Sequence, residues 1–484
     1  AVIPWLGCIR WGKPPVAQSG RAVPNGAPEF GQEVSVYDTD KRRLRVAVVG
    51  GGIAGLSAAW LLSAKHDVVL FEADGRLGGH ANTTEAPNQA GGATPVDTGF
   101  IVYNEPNYPN FTALLTHLGV VSIPADMALS VSLDDGAFEY SSFGMSGMFA
   151  QKRNIFSARF WRMLRDVTRF YRHGPKDLAA LEAPLTSLDD YLTQKGYCQA
   201  FRDDHLLPQA AAIWSTPLAA IGAYPAAALI RFFQNHGMMS IFGRGLWRTV
   251  EGGSRSYVRK LADAFTGEVR TGVRVTGVRR IAGGAEVRDV TGHVERFDEV
   301  VIAAHGDTAL SLLDDPTAEE RRILEAFKYS RNLTVLHTDP SVMPKRKAAW
   351  TSWNHVGRRD APEEGCVTYW MNRLQSLKTD TNLFVTLKPT RPIAPESVIR
   401  TEVYEHPLFD AGAIAAQREI WSLQGVRNTW FCGSYFGHGF HEDALQAGLA
   451  VAEQLGGVRR PWTVADESGR IHVSPPPERV EAAA

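Results

Sequence analysis

Apolar residues fall in short, separated runs along the chain. Leu44 to Val49 (LRVAVV) is a short, largely apolar run that predicts a buried strand, and Leu56 to Ser63 has the small-apolar character of a packed helix. Lys65-His66-Asp67 marks a turn, after which Val68 to Phe71 predicts a second strand ending in Glu72. Arg270 to Arg280, carrying Val273, Val275 and Val278, reads as one further strand. Glu299 to Ala304 and Thr429 to Cys432 add two more, and Ala444 to Leu455 predicts a closing helix rich in alanine and leucine. Strands alternating with helices predict an α/β fold with a mixed, mostly parallel sheet.

The first strand and helix enclose Gly50-Gly51-Gly52-Ile53-Ala54-Gly55, a Gly-x-Gly-x-x-Gly pattern. Gly50 permits the turn, Gly52 lets the backbone approach a pyrophosphate, and Gly55 lets helix and strand pack closely. Backbone N–H groups of Ile53 and Ala54 at the helix start face phosphate oxygens. Glu72 then suits a ribose hydroxyl, with Ala73 beside it. A second glycine pair, Gly75-Arg76-Leu77-Gly78-Gly79-His80, and a loop, Asp97-Thr98-Gly99-Phe100, follow directly. A nicotinamide site has no use for them, which points to FAD.

Composition narrows the picture by exclusion. Net charge of −1 gives no global attraction to nucleic acid or to an anionic surface. Cys8, Cys198, Cys366 and Cys432 form no Cys-x-x-Cys pair, so neither a metal site nor a disulfide framework is expected, and a reducing cytoplasm is the natural setting. No apolar run reaches the ~20 residues of a membrane span. Residues 1–43 and 461–484, with Pro475-Pro476-Pro477, read as tails outside the fold.

The two glycine motifs and the aromatic turn Gly433 to Asp443 together resemble the superfamily of FAD-dependent amine oxidases, protoporphyrinogen oxidases and phytoene desaturases. The resemblance implies a Rossmann-type FAD-binding domain interleaved with an α+β substrate domain. Its FAD pieces would be residues 44–126, 244–313 and 417–460, and its substrate pieces 127–243 and 314–416. It further implies that Arg76, Gly78 and Gly79 wrap the second phosphate, with His80 completing that turn. The Asp97–Phe100 loop would lie by the isoalloxazine and Val275 by the adenine. Gly433, Glu442, Asp443 and Ala444 would contact ribityl and flavin, with the helix start stabilising negative charge on the ring. By residues alone, Glu442 or Asp443 serves equally as a helix cap.

Finer matches resemble a bacterial branch akin to the flavoprotein portion of plant cyclopropane-fatty-acid synthases. They include Gly79-His80-Ala81-Asn82-Thr83, Tyr108-Pro109-Asn110-Phe111, Asn235-His236-Gly237 and Gly439-Phe440-His441-Glu442-Asp443. That likeness implies hydride abstraction from a hydrophobic, unsaturated fatty-acyl or lipid substrate, with desaturation or double-bond isomerisation. Where amine oxidases carry a lysine near flavin N5, the comparable stretch here offers Asn332, and an aromatic-cage tyrosine is matched by Phe440. Candidate bases are His441, His438 and Tyr435. Rival expectations are a true amine oxidase and an accessory flavoprotein of a lipid-modifying partner. Trp214, Phe232, Phe242, Trp353 and Trp370 suit either a greasy tunnel or a core. Around residues 159–172, Phe160, Leu164, Val167 and Tyr171 share one helical face while Arg162, Arg165, Arg169 and Arg172 share the other. Such a helix either contacts a membrane peripherally or packs its apolar face inward, the commoner outcome.

Overall fold

The computed structural model describes residues 42–88, 91–181, 186–214, 221–239, 246–361 and 365–474. Cys8, Phe242, the side chain of Trp214, the run Pro475–Pro477 and nearly all of the expected N-terminal tail lie outside them. The expected α/β class is observed. A five-stranded sheet has the order Glu268–Thr271, Asp67–Glu72, Arg45–Val49, Glu299–Ile302, Thr429–Phe431, and every pair is parallel. Its central strands carry buried apolar runs because both faces are covered there, whereas the edge strand Glu268–Thr271 is largely exposed. Val46, Val48, Val68, Val300 and Val301 are all fully buried.

Helix Ile53–Ser63 follows the first strand and crosses helix His441–Leu455 at close range. A Cβ on Gly448 would stand 2.2 Å from the Ala54 carbonyl oxygen, so this crossing requires a glycine. The closing helix begins at His441, not at Ala444 as expected, because the Asp443 carboxylate accepts the Phe440 N–H at 2.7 Å and extends the first turn backwards.

The single strand expected over Arg270–Arg280 is two strands. Glu268–Thr271 closes the edge of the parallel sheet, whereas Val275–Ile281 opens an antiparallel sheet with Gly284–Asp289 and Val294–Phe297. Gly272, at φ +72°, makes the bend between them.

The largest sheet is mixed, with the order Val398–Leu408, Lys328–His337, Phe384–Leu387, Cys366–Trp370, Trp353–Gly357, Leu129–Leu133, Phe138–Ser141. Helix Ala158–Leu181 turns its apolar face inward: Phe160 and Met163 bury against Val131, Leu133 and Tyr140 of that sheet, and Phe170 joins a separate helical core. Residues 461–474, expected as a tail, lie against the fold. Trp462 stacks on Trp60 at 6.1 Å, Ile471 is buried, and Arg470 pairs with Asp443 at 2.5 Å.

Candidate active site

The glycine loop is shaped to receive an anion. Helix Ile53–Ser63 has no side-chain cap and no acidic residue in its first turn, so its leading N–H groups are left for a ligand. A Cβ placed on Gly52 would meet nothing within 4 Å, whereas one on Gly50 would stand 2.4 Å from the Ala303 carbonyl oxygen and one on Gly55 1.9 Å from that of Gly50. Gly52 therefore opens onto free space, and Gly50 and Gly55 hold the loop against its neighbours. Glu72 accepts the N–H of Gly51 at 2.7 Å through Oε2 and that of Asp74 at 2.8 Å through Oε1. Each oxygen keeps a lone pair for a ribose hydroxyl. Ala73 is exposed beside it. The backbone running along this acid is Gly272–Val273, which donates to the carbonyls of Asp74 and Glu72 at 2.8 and 2.9 Å. Val275 sits further on, buried in the antiparallel sheet.

The second glycine pair folds back on the first. Gly78 donates to the Gly51 carbonyl at 2.8 Å, and a Cβ on Gly79 would reach Gly52 Cα at 3.1 Å. Arg76 donates to the carbonyls of Gly79 and Ala81, so it staples this turn. These residues fit a dinucleotide.

Beyond them stands an array that local sequence does not reveal. His80 Nε2 lies 3.0 Å from His406 Nε2, and Asn332 Nδ2 lies 2.9 Å from His406 Nδ1. The same amide nitrogen donates to the Ser330 carbonyl at 3.0 Å, which fixes it as a donor. His406 Nδ1 is then the acceptor, its proton sits on Nε2, and His80 accepts it, leaving the His80 proton on Nδ1. Burial and the neighbouring His406 hold His80 well below the usual histidine range; burial takes His406 to about 4. Both rings are neutral at pH 7. The Tyr404 ring lies 4.6 Å from His80, tilted by 52°, and its hydroxyl meets Asn82 at 2.9 Å and Thr98 at 2.7 Å. Asn332 is fully buried, and its Oδ1 has no partner among the described residues, an acceptor left over for a bound group.

Several expected site residues are turned inward. Asp97 accepts from Thr83 Oγ1, the N–H and hydroxyl of Ser254, and Gln375 Nε2 at 2.5 to 3.0 Å. It is fully buried, burial pushes its pKa up to about 6, and it ties the loop to the start of helix Arg255–Ala264. Gly99 packs under His80, where a Cβ would meet the His80 carbonyl at 2.2 Å. Glu442 accepts the N–H groups of Asn110 and Phe111 at 3.0 and 2.9 Å, and the amides of Asn110 and Gln446 at 2.9 and 3.0 Å. It caps the start of helix Pro109–His117. Asp443 is occupied by Phe440 and Arg470, and Ala444 is buried behind them.

The expected bases fare likewise. His441 stacks on Phe100 at 3.8 Å and 9°, and its Nε2 meets the Tyr257 hydroxyl at 2.6 Å. Burial lowers it to about 3, so it is a neutral packing residue. Tyr435 lies in the core against Phe327 and Phe436, its ring filling the place a Cβ on Gly433 would take. His438 is exposed on the turn. Phe440 is covered by Phe232 at 5.1 Å and approached by the Arg470 guanidinium at 5.9 Å. A lysine was missed: Lys388 follows strand Phe384–Leu387, donates its N–H to the Leu333 carbonyl, and acts electrostatically on His406. The signal for Lys388, Tyr404 and His406 was absent because their strands are distant in sequence from the glycine motifs.

Residues 53–341 match the family of flavin containing amine oxidoreductases. The chain belongs to this family. As such it is an FAD-dependent oxidoreductase. The chain is 26% identical over 303 residues to (S)-6-hydroxynicotine oxidase of Paenarthrobacter nicotinovorans, across 60% of this chain and 67% of that protein. In fold it is similar to cyclohexylamine oxidase from Brevibacterium oxydans, with TM-score 0.63 and 15% identity over 86% of this chain and 100% of the other. It is also similar to a CLA-producing fatty acid isomerase from P. acnes, with TM-score 0.58 and 16% identity over 85% and 97%. Among the described residues of this family member, no helix is long and apolar enough to cross a membrane.

Proposed function

We propose that this flavoenzyme acts on a hydrophobic, unsaturated fatty-acyl or lipid chain, giving desaturation or double-bond isomerisation. The observation that carries the reading is the charge around the His80–His406 pair. The cations that bear on these rings, Arg76 and Lys388, form a wall that acts against a further positive charge. Such a wall disfavours a protonated amine and tolerates a neutral chain or one ending in a carboxylate. The covered Phe440 ring supports the same reading, since a guanidinium already stands where an ammonium would seek an aromatic face.

Bound FAD supplies the two-electron chemistry. The loop Gly50–Gly55, Glu72 and the Gly78–Gly79 turn would hold it. Asn332 and His406 orient the His80 ring and keep its proton on Nδ1, so His80 serves as a fixed N–H donor. His441 stacks on Phe100 and Tyr435 packs against Phe327 and Phe436, which speaks against either as a mobile base. A rearrangement in which hydride leaves one carbon and returns to another releases no proton and asks for no such base, and this favours isomerisation over desaturation.

A second reading, oxidation of an amine, is supported by the relatives, since (S)-6-hydroxynicotine oxidase and cyclohexylamine oxidase both carry amine-like substrates in their names. The test is the visible flavin spectrum under argon as unsaturated fatty acid or phospholipid is added, with polyamine in a parallel cuvette and chromatography of double-bond position. A shifted double bond, or bleaching by lipid, supports the proposal. Bleaching by amine alone, with peroxide in air, replaces it with the amine reading. An unchanged spectrum and unchanged lipid favour an accessory role beside a lipid-modifying partner.

A further inference from the structure

The apolar face of helix Ala158–Leu181 is spoken for, but its outer face is not. Between Lys152 and Lys176 the chain carries eight lysines and arginines and a single carboxylate, Asp166, in a protein whose net charge is −1. Asp166 is fully buried; it accepts the N–H of Cys198 at 2.7 Å and pairs with Arg165 at 3.1 Å and Arg169 at 3.7 Å, so it offsets part of the charge of two of these cations. Arg159 is drawn aside by Asp204. At 100° per residue, Trp161, Arg165, Arg172 and Lys176 fall within an arc of about 60°, and Arg162 and Arg169 widen it to about 100°. The stripe runs roughly 22 Å along the helix. Among the described residues, no carboxylate pairs with Lys152, Arg162, Arg172 or Lys176.

At the helix start the stripe meets exposed apolar side chains. Phe156 is 89% exposed, Ile155 44% and Trp161 41%. The Trp161 indole N–H donates to the Ile155 carbonyl at 2.8 Å, which fixes this corner as one unit. A solvated basic face needs no such corner. Cations beside protruding aromatics match a bilayer interface, where the rings enter the headgroup region and the guanidinium groups meet lipid phosphates.

We propose that this face docks the protein on an anionic phospholipid surface, with Phe156 and Ile155 inserted and the Arg162–Lys176 stripe lying along the headgroups. The mode is peripheral, and it uses the face opposite to the one that packs on the sheet. It stands on the surface alone and is independent of which substrate the flavin site takes.

The experiment is co-sedimentation of the full flavin-loaded chain with vesicles of phosphatidylcholine alone or mixed with phosphatidylglycerol, across a salt series. Binding is expected to the mixed vesicles only and to weaken with salt. The triple variant R162Q/R165Q/R172Q should lower the partition roughly a hundredfold, at about fivefold per charge. Phe156→Ser should lower it further, while both variants keep the wild-type flavin spectrum and melting profile. No binding to mixed vesicles, or equal binding to both compositions, overturns the proposal. So does retention on a double-stranded oligonucleotide, but not on vesicles, with Phe156→Ser indifferent, which would make the stripe a nucleic-acid surface.

Discussion

Glu442 offers the sharpest separation between a cofactor contact and a structural one. Its carboxylate takes four hydrogen bonds, from Asn110 N and Nδ2, Phe111 N and Gln446 Nε2, and it is fully buried. Glu442→Gln preserves shape but keeps only one acceptor oxygen. Set at the Oε1 position, that oxygen retains Asn110 and Gln446, while the new NH2 faces the Phe111 N–H. The buried Phe111 N–H and the new NH2 are then both left without an acceptor, at about 1–3 kcal/mol for each group, and bonds to a charged acceptor become weaker neutral ones. Burial pushes the Glu442 pKa up, so removing the charge returns part of its desolvation cost. The net expectation is a loss of about 2 kcal/mol. Urea unfolding of the apoprotein, followed by tryptophan fluorescence, reads this without the linkage that bound FAD adds. The flavin reduction potential of the reloaded variant should match the wild type. A variant with unchanged urea midpoint and a displaced potential would refute the reasoning and restore Glu442 to the flavin.

Three further outcomes follow from the same geometry. Gly52→Ala should leave apoprotein stability within about 0.5 kcal/mol of wild type, since Gly52 has φ −71° and ψ 179° and open space around it, yet weaken FAD binding at least tenfold by fluorescence titration; equal affinity would show that nothing occupies that space. His441→Phe should keep turnover and the Phe100 stack but lose about 1–2 kcal/mol as the Tyr257 hydroxyl is orphaned; loss of turnover in a stable, flavin-loaded variant would return His441 to the list of bases. His236, His337, His355 and His441 are buried with pKa values lowered by burial to about 3 or 4. The folded state binds their protons less readily than the unfolded one, so stability is fully present above about pH 6.5 and falls toward pH 4 by about 1.4 kcal/mol per pH unit for each ring. A urea midpoint flat from pH 7 to 5 would contradict this.

The glycine motifs were legible because each is local: turn, helix start and acid lie within one strand–helix–strand unit, and neighbours along the chain become neighbours in space. The direction of a side chain next to a motif was not legible. Asp97 and Glu442 sit beside cofactor segments, but their partners, Ser254 and Gln375 for one and Asn110 for the other, come from hundreds of residues away. The His80–His406–Asn332 array escaped for the same reason, as it spans 326 positions between its two rings. The break at Gly272 was concealed by a valine-rich run that looks continuous on both sides of it. Inward packing of the arginine-rich helix was anticipated from its pattern, whereas the protrusion of Phe156 depended on how a short helical turn ends.

The parallel sheet has a temporal consequence during synthesis. Four of its five strands lie within residues 45–302, while the fifth, Thr429–Phe431, and the helix that crosses Ile53–Ser63 are made far later. A nascent chain therefore carries its glycine loop out of the ribosome with the apolar flank of Ile53–Ser63 still bare. That flank is covered only once the last helix, His441–Leu455, has been made.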